Sequence, residues 1–329
     1  MKTALITGVS GQDGTHLSEF LLNKGYRVYG LVNGQRQSND KRAKHLDPRV
    51  ELVFGDMTDS VSLMNVIADT NPAEIYNLAA QSFVGVSFTQ PELTANVTGM
   101  GVLRLLEAVR QLKKEKEIRL YQASSSEMFG RVREMPQTES TPFHPRSPYG
   151  VSKAFAHYLC VNYREAYDMY ISCGILFNHE GPNRGYEFVT RKITSGVARI
   201  AIGLSDHFVL GNLDAVRDWG FAGDYVEAMW LMLQSDSPDD FVIATGEVHS
   251  VREFVTQSLI SAGLEPDFDR YVRQDPKFMR PAEVDILKGD STKALQVLGW
   301  KPKVNFEQLV TMMIENDLNI ERQENARKQ

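Results

Sequence analysis

Cysteine is scarce in this chain. Cys160 and Cys173 are the only two in 329 residues. That is too few for a disulfide framework or a thiolate zinc site, and their apolar surroundings mark them as small core side chains. Long apolar runs are missing too, so no membrane span is expected. The opening Met1–Ile6 has the look of a signal peptide, but Gln12-Asp13-Gly14 soon interrupts it. A strand and a turn are expected there instead, in a cytoplasmic protein. Positive charge is in deficit, with 36 Lys and Arg against 42 Asp and Glu and a formal charge of −6. The overall basic field of a nucleic-acid binder is therefore absent, although a local basic pocket for a phosphorylated small molecule fits this balance. With 42% hydrophobic and 24% charged residues, disordered and collagen-like chains are excluded and a core of ordinary size is expected. The length suits two domains, or one large α/β domain with an added lobe.

Apolar periodicity alternates between strand-like and helix-like from the start. Strands are expected at Ala4–Thr7, Tyr26–Val32, Val50–Phe54, Glu74–Leu78, Arg119–Ala123 and Tyr170–Leu176. Helices are expected after Gly14 up to Lys24-Gly25, and at Ser60–Ala68, Asn96–Leu112 and Tyr149–Ala166. This alternation predicts an α/β fold, a Rossmann-like doubly wound parallel sheet covered on both faces. After Gly181 the pattern becomes irregular, which predicts a smaller, discontinuous C-terminal substrate-binding lobe. The expected division is 1–180 for the dinucleotide domain, with returning segments near 212–250, and 181–329 mainly for the lobe. Asp224–Gln234 reads as a returning helix and Phe241–Ala244 as a returning strand. The polar tail Glu321–Gln329 reads as frayed.

Gly8, Gly11 and Gly14 lie between the first strand and the first helix. The first permits a tight turn, the second lets backbone amides approach a pyrophosphate, and the third allows close helix–strand packing. Gln12 and Asp13 complete the turn. An ordinary turn could carry the same glycines, but their placement favours a dinucleotide. No acidic residue ends the second strand to hold a ribose diol, while Arg36, Lys41 and Arg42 follow in the loop. NADP is therefore favoured over NAD, against the alternative of a solvated basic loop.

Tyr149 and Lys153 stand four residues apart and so share one helix face. A neighbouring ammonium lowers a phenol's pKa, which makes Tyr149 a candidate acid/base for a carbinol–carbonyl interconversion. Ser125, after the fifth strand, is placed to hold the same substrate oxygen. Glu127 is the informative addition. Plain alcohol dehydrogenation needs no carboxylate here, whereas dehydration needs a base for the proton beside the ketone. Without these companions, each residue would read as a solvated helix or strand end.

With these motifs in place, the chain resembles the GDP-mannose 4,6-dehydratase family of the extended short-chain dehydrogenase/reductases. The resemblance is carried by GVSGQDG at 8–14, YNLAAQSFVGVSF at 76–88, ASSSEMFG at 123–130 and PFHPRSPYGVSKAFAHY at 142–158. It continues through GILFNHEGPNRGYEFVTRKIT at 174–194, LGNLDAVRDWGFAGDYVEAMWLML at 210–233, RPAEVDIL at 280–287 and LGWKPKVNFEQLV at 298–310. It implies conversion of GDP-mannose to GDP-4-keto-6-deoxymannose by internal hydride transfer through NADP and loss of water. Tyr149, with its pKa lowered by Lys153, would take the C4 hydroxyl proton, and Glu127 would remove the C5 proton and protonate the departing C6 hydroxyl. The resemblance also places Asp56 and Met57 at the adenine and Leu78, Ala80 and Ser82 along the cofactor channel. His179 and Arg184 fall near the nicotinamide and phosphates. On the substrate side it places Ser82, Ser126, Asn178, Val189 and Lys192, with Arg217, Arg280 and Glu283 on the GDP moiety. No metal is implied. A homodimer pairing the two long helices, or a homotetramer through the cofactor loops, is implied.

The chain departs from the family at several points. Ser125 stands where threonine is usual, with the hydroxyl kept. Asn33-Gly34-Gln35-Arg36 replaces the usual paired arginines and serines, which bears on cofactor choice and on tetramer formation. His144 and Gly181 replace the more familiar Tyr and Ser. Rival readings are a GDP-4-keto-6-deoxysugar reductase, a GDP-heptose dehydratase, an epimerase and a non-catalytic nucleotide-sensing subunit. Glu127 argues against the reductase, which has no C5 proton to remove. The set Ser125, Glu127, Tyr149 and Lys153 argues against the sensor.

Overall fold

The computed structural model describes residues 1–34, 45–275, 277, 284 and 286–327. The first half alternates as β1 (Thr3–Thr7), α1 (Gln12–Asn23), β2 (Arg27–Val32), β3 (Glu51–Phe54), α2 (Ser60–Thr70) and β4 (Glu74–Asn77). Then come α3 (Val84–Thr89), α4 (Pro91–Thr94), α5 (Gly101–Gln111), β5 (Arg119–Ser125), α6 (Pro148–Tyr167) and β6 (Ile171–Leu176). The second half has β7 (Asn178–Glu180), α7 (Val189–Ala201), β8 (Phe208–Leu210), β9 (Val216–Arg217), β10 (Trp219–Phe221), α8 (Ala222–Met232) and β11 (Asp240–Ile243). It ends with β12 (His249–Ser250), α9 (Val251–Ser261), α10 (Phe268–Tyr271), β13 (Val272–Gln274), β14 (Ile286–Leu287), α11 (Thr292–Leu298) and α12 (Phe306–Ala326).

Seven strands form one parallel sheet in the order β11-β6-β5-β4-β1-β2-β3. This is the doubly wound arrangement expected from the alternation. Side chains along β1 alternate between faces. Ala4 and Ile6 join Leu17, Leu21, Tyr225 and Met229 from α1 and α8 on one side. Leu5 joins Leu63, Ile67, Leu105, Val109, Cys160 and Cys173 on the other. Both cysteines are thus buried core residues. Strand order reverses between β1 and β4, which opens a crevice above their C-terminal ends. There Thr7 Oγ1 donates to Asn77 Oδ1 at 2.6 Å and accepts from the Ala79 amide at 3.1 Å.

The expected helix at Asn96–Leu112 is built differently. Helical backbone starts earlier, in α3 and again in α4 with Pro91 in its first turn, and passes through a π-turn at Ala95–Met100 into α5. Proline's fixed φ and missing N–H suit a helix start. Arg104 reaches back from α5 to Asn96 Oδ1 at 2.8 Å and bridges the π-turn.

A further core lies among α7, α9 and α12, where Ile193, Val197, Phe254, Leu259, Val310 and Ile314 pack together with Trp219. The expectation of a frayed tail from Glu321 is corrected: α12 runs on to Ala326. Glu321 is buried and pairs with Arg199 at 3.0 Å. One turn earlier, buried Asp317 pairs with buried Arg191 at 2.8 Å and accepts from Thr194 Oγ1 at 2.6 Å. These bonds dock the final helix onto α7. Among the described residues, no helix is long and apolar enough to cross a membrane.

Removing one member of a buried ion pair leaves the other charge uncompensated. Asp317→Ala is expected to lower unfolding free energy by about 3–5 kcal/mol, read as a lower urea midpoint at unchanged m-value.

Candidate active site

The crevice starts at the glycine-rich turn. Gly8 has φ +69°, and a Cβ there would lie 2.9 Å from the Ala79 backbone nitrogen. A Cβ on Gly14 would fall 2.5 Å from Val9 Cα, inside contact distance. Gly11 begins α1 with no side-chain cap, so the helix N-terminus faces the crevice with its amides and dipole available to an anion. Gln12 Oε1 is buried there without a hydrogen-bond partner. Backbone crowded to the point of excluding Cβ atoms and an uncapped helix end together fit a dinucleotide pyrophosphate, while the orphaned Gln12 oxygen, an acceptor only, suits a donor such as a ribose hydroxyl.

β5 delivers Ser125 to the crevice edge, and a short 3₁₀ turn (Ser126–Met128) follows, all of it buried. Ser125 Oγ accepts from the Glu127 amide at 3.2 Å and fixes that turn. α6 begins beside it: Ser147 Oγ accepts from the Gly150 amide at 3.0 Å, and Pro148 occupies the first turn. Tyr149 therefore lies in the first turn of α6 and is hydrogen-bonded to the Ser125 side chain. Lys153, one turn later, donates to the Ala123 carbonyl at 2.7 Å, with its Nζ 5.8 Å from the Tyr149 ring centre. Ser125, Glu127, Tyr149 and Lys153 thus come together at one strand end.

The electrostatics correct one expectation. Burial pushes the Tyr149 phenol up to about 12, against a smaller opposing pull from the Ser125 hydrogen bond, and the Glu127 charge adds to the rise. Burial pushes Lys153 down to about 8. Desolvation therefore outweighs the Ser125 hydrogen bond and the positive charge of Arg184, and the protein alone does not prepare a phenolate.

The remaining candidates fall into groups. Leu78 and Ala80 follow β4 at the switch point, and Ser82 lies beyond them, exposed. Asp56 and Met57 follow β3. Asp56 accepts from the Thr58 amide and hydroxyl, both at 2.7 Å, while Met57 is buried. β7 follows β6 directly and carries Asn178 and His179. His179 Nε2 meets Asp13 Oδ2 at 2.8 Å. Arg184 pairs with buried Glu180 at 2.9 Å and lies over the Phe188 ring. Val189 and Lys192 stand in the first turn of α7, and Arg217 is buried on β9 between β12 and β14. Arg36, Arg280 and Glu283 lie outside the described residues. Surface cavities of ≈ 390 and ≈ 200 Å³ open around Thr245 and Pro302 and include none of these candidates.

Sequence reasoning missed two buried polar residues. Arg191 donates to the Pro182 and Arg184 carbonyls and to Asp317, so it fixes the loop that bears Arg184. Its signal was present: Arg191, Thr194 and Ala198 fall on the apolar stripe of a helix, where an arginine needs a partner. Asp218 accepts from the Thr245 and Gly246 amides, each at 2.9 Å, and ties β11's exit to the strand after Arg217. Behind the site, His157 contacts Ser124 Oγ at 2.9 Å and lies near Cys173 and Asp240, whose carboxylate is taken by Arg164.

Comparison with known proteins agrees with this geometry. The family model described as GDP-mannose 4,6 dehydratase matches residues 5–313. GDP-mannose 4,6 dehydratase 1 of Arabidopsis thaliana is 53% identical, over 98% of this chain and 91% of that protein. The Homo sapiens GDP-mannose 4,6 dehydratase is 52% identical, over 97% and 92%. A solved Thermus thermophilus UDP-glucose 4-epimerase in complex with NAD is similar in structure, with a TM-score of 0.82 at 28% identity, over 96% of this chain and 98% of the other.

A lysine whose folded pKa is depressed destabilises the fold while it is charged. Lys153→Met is expected to raise unfolding free energy at pH 7 by up to about 3 kcal/mol. The gain should shrink as pH climbs from about 8 through 10.5 and vanish above it, where the wild-type lysine is neutral in both states. Urea melts across that pH range check it.

Proposed function

The chain belongs to the GDP-mannose 4,6-dehydratase family, and from that premise we infer that it is a hydro-lyase converting GDP-mannose to GDP-4-keto-6-deoxymannose. The observation that carries the chemistry is Glu127, held by the turn that Ser125 fixes and close enough to raise the Tyr149 pKa.

We assign the roles as follows. A nicotinamide dinucleotide, when bound in the crevice, accepts hydride from C4 of the hexose and returns it to C6. The glycine-rich turn and the α1 N-terminus hold its pyrophosphate, with Asp56, Met57, Leu78 and Ala80 along its length. NADP is the preferred form, supported by the missing acid at the end of β2 and by the cations in the following loop. Ser125 and Tyr149 hold the C4 oxygen between them, and Tyr149 takes its proton. Lys153's ammonium, together with an oxidised nicotinamide, offsets the burial that otherwise keeps Tyr149 a phenol. The C4 ketone acidifies C5, and Glu127 removes that proton and passes it to the C6 hydroxyl, which leaves as water. The proton lost from O4 equals the one returned to C5, so the reaction is redox- and proton-neutral overall.

Asn178, Lys192 and Arg217, with Arg280 and Glu283, bind the GDP moiety, and Ser82, Ser126 and Val189 border the sugar. The residues after 180 form the main part of the substrate lobe. A homodimer joins through α6, which exposes Val151, Phe155 and Tyr158 along one stripe beside exposed Leu93 and Met100. A tetramer would add the loop after β2.

Incubation with GDP-mannose and no added NADPH should yield a product lighter by one water over many turnovers, seen by mass spectrometry. Glu127→Gln should cut water loss by about 10²–10⁴-fold. A reductase or a sensing subunit would lose nothing by that change. Separately, light scattering should give at least a dimeric mass, and Phe155→Glu should shift it toward the monomer.

A further inference from the structure

We propose that Asp13 and His179 form an ionic clasp, with His179 as an imidazolium, that closes the Asn178–Glu180 strand over the glycine-rich turn and retains the dinucleotide between turnovers. The retention role rests on the dinucleotide reading of that turn.

The charge state follows from hydrogen-bond bookkeeping. His179 Nδ1 lies 2.7 Å from the Phe177 carbonyl oxygen, and Nε2 lies 2.8 Å from Asp13 Oδ2. A carbonyl oxygen only accepts, as does an ionised carboxylate. Neutral imidazole has one N–H and would leave one of these short contacts without a proton. The imidazolium donates in both. The opposite assignment, a protonated Asp13 donating to neutral His179, is disfavoured because Asp13 Oδ1 also accepts from Gln12 Nε2 at 3.1 Å and feels the positive charge of Arg184.

The clasp has a second point of contact. Gln12 Nε2 donates to the His179 carbonyl at 3.0 Å, so two adjacent residues of α1's first turn grip one residue more than 160 positions away. The groups around the pair are compatible with it. On α1, burial disfavours a charge on His16. On α8, the Tyr225 ring stacks against the His179 ring at 4.7 Å. Arg184 is paired to Glu180, on the same short strand as His179. On α6, Lys153 and Tyr149 feel the Asp13 charge, as Tyr121 does on β5. His179, Arg184 and Lys153 balance Asp13, Glu180 and Glu127, so the attraction for a pyrophosphate comes from the uncapped helix end beside them. A reaction that returns its hydride has no need to release the cofactor, so a closed clasp costs no turnover.

The sign of the pH dependence is fixed by the pair. Burial alone would lower the His179 pKa, but Asp13 outweighs it and the pKa is raised. Burial alone would raise the Asp13 pKa, but His179 outweighs it and the carboxyl is held far below its usual range. The clasp is therefore charged below the folded His179 pKa, which lies above that of a free imidazole, and it opens as pH rises through it.

The test uses full-length protein loaded with NADP. Nucleotide dissociation is followed by chase from about pH 6 to about pH 9.5, and the His179 side chain by ¹⁵N NMR over the same range, with His179→Gln assigning its signals. The expected results are an imidazolium at neutral pH, faster wild-type release as that imidazolium titrates, and release from Asp13→Asn faster by about tenfold or more, with the His179 titration moved to lower pH. A neutral single tautomer at neutral pH would overturn the proposal, as would Asp13→Asn releasing nucleotide at the wild-type rate, or release that ignores the titration. If Asp13→Asn does not fold, the wild-type spectrum and release profile decide alone. Wild-type protein that binds neither NADP nor NAD would sink the retention role and the dinucleotide reading, while the spectrum still decides the charge state of the pair.

Discussion

The hydroxyl of Thr7 sits where the parallel sheet changes its direction of growth. It donates to Asn77 on β4 and accepts the amides of Leu78 and Ala79 as that strand leaves the sheet. One side chain thereby fixes how far β1 and β4 diverge. Gly8 follows at once, pressed so close to Ala79 that no Cβ fits. The position of α1, the exposure of its N-terminal amides and the path of the 78–82 segment all depend on that pinch. The candidate catalytic side chains come from the end of the neighbouring strand β5, the turn after it and the start of α6, all placed by the same sheet.

Placing Tyr149 and Lys153 there creates an electrostatic conflict. Both lie in a desolvated pocket, which pushes the phenol up and the ammonium down, toward the neutral form of each. The proposed chemistry needs the opposite pair of forms. The fold thus carries groups that are poorly solvated in the state they must adopt and that depend on a charged visitor to reach it. Glu127 is anchored by backbone from its own turn, so its position does not depend on that visitor.

The sequence revealed the sheet because parallel strands are buried on both faces and read as short apolar runs between helices, as Ala4–Thr7 and Tyr170–Leu176 did. It revealed Ser125, Tyr149 and Lys153 because a helix start with proline and a four-residue spacing are local signals. The second core was not legible in advance. α7 and α12 bury charged residues along their contact, so their periodicity is broken where it matters, and the tail beyond Glu321 reads as polar although Glu321 is covered by Arg199. The π-turn before α5 was hidden because its cause is tertiary: Thr98, buried within it, takes the Gln81 amide. The Tyr149 pKa was misread because spacing shows which charges are near but not how much water has been removed.

The bond between Arg191 and Asp317 spans 126 positions. A ribosome adding roughly 5–20 residues each second needs on the order of ten seconds to cover that distance. When that interval begins, six of the sheet's seven strands and the glycine-rich turn have been made, with β11 still to come, and Asp317 is not yet there to meet Arg191. Arg191's grip on the loop bearing Arg184 is anchored in full only when α12 has been made. The enzyme is therefore assembled in two acts, a platform of strands made early and a loop secured only once Asp317 has been made.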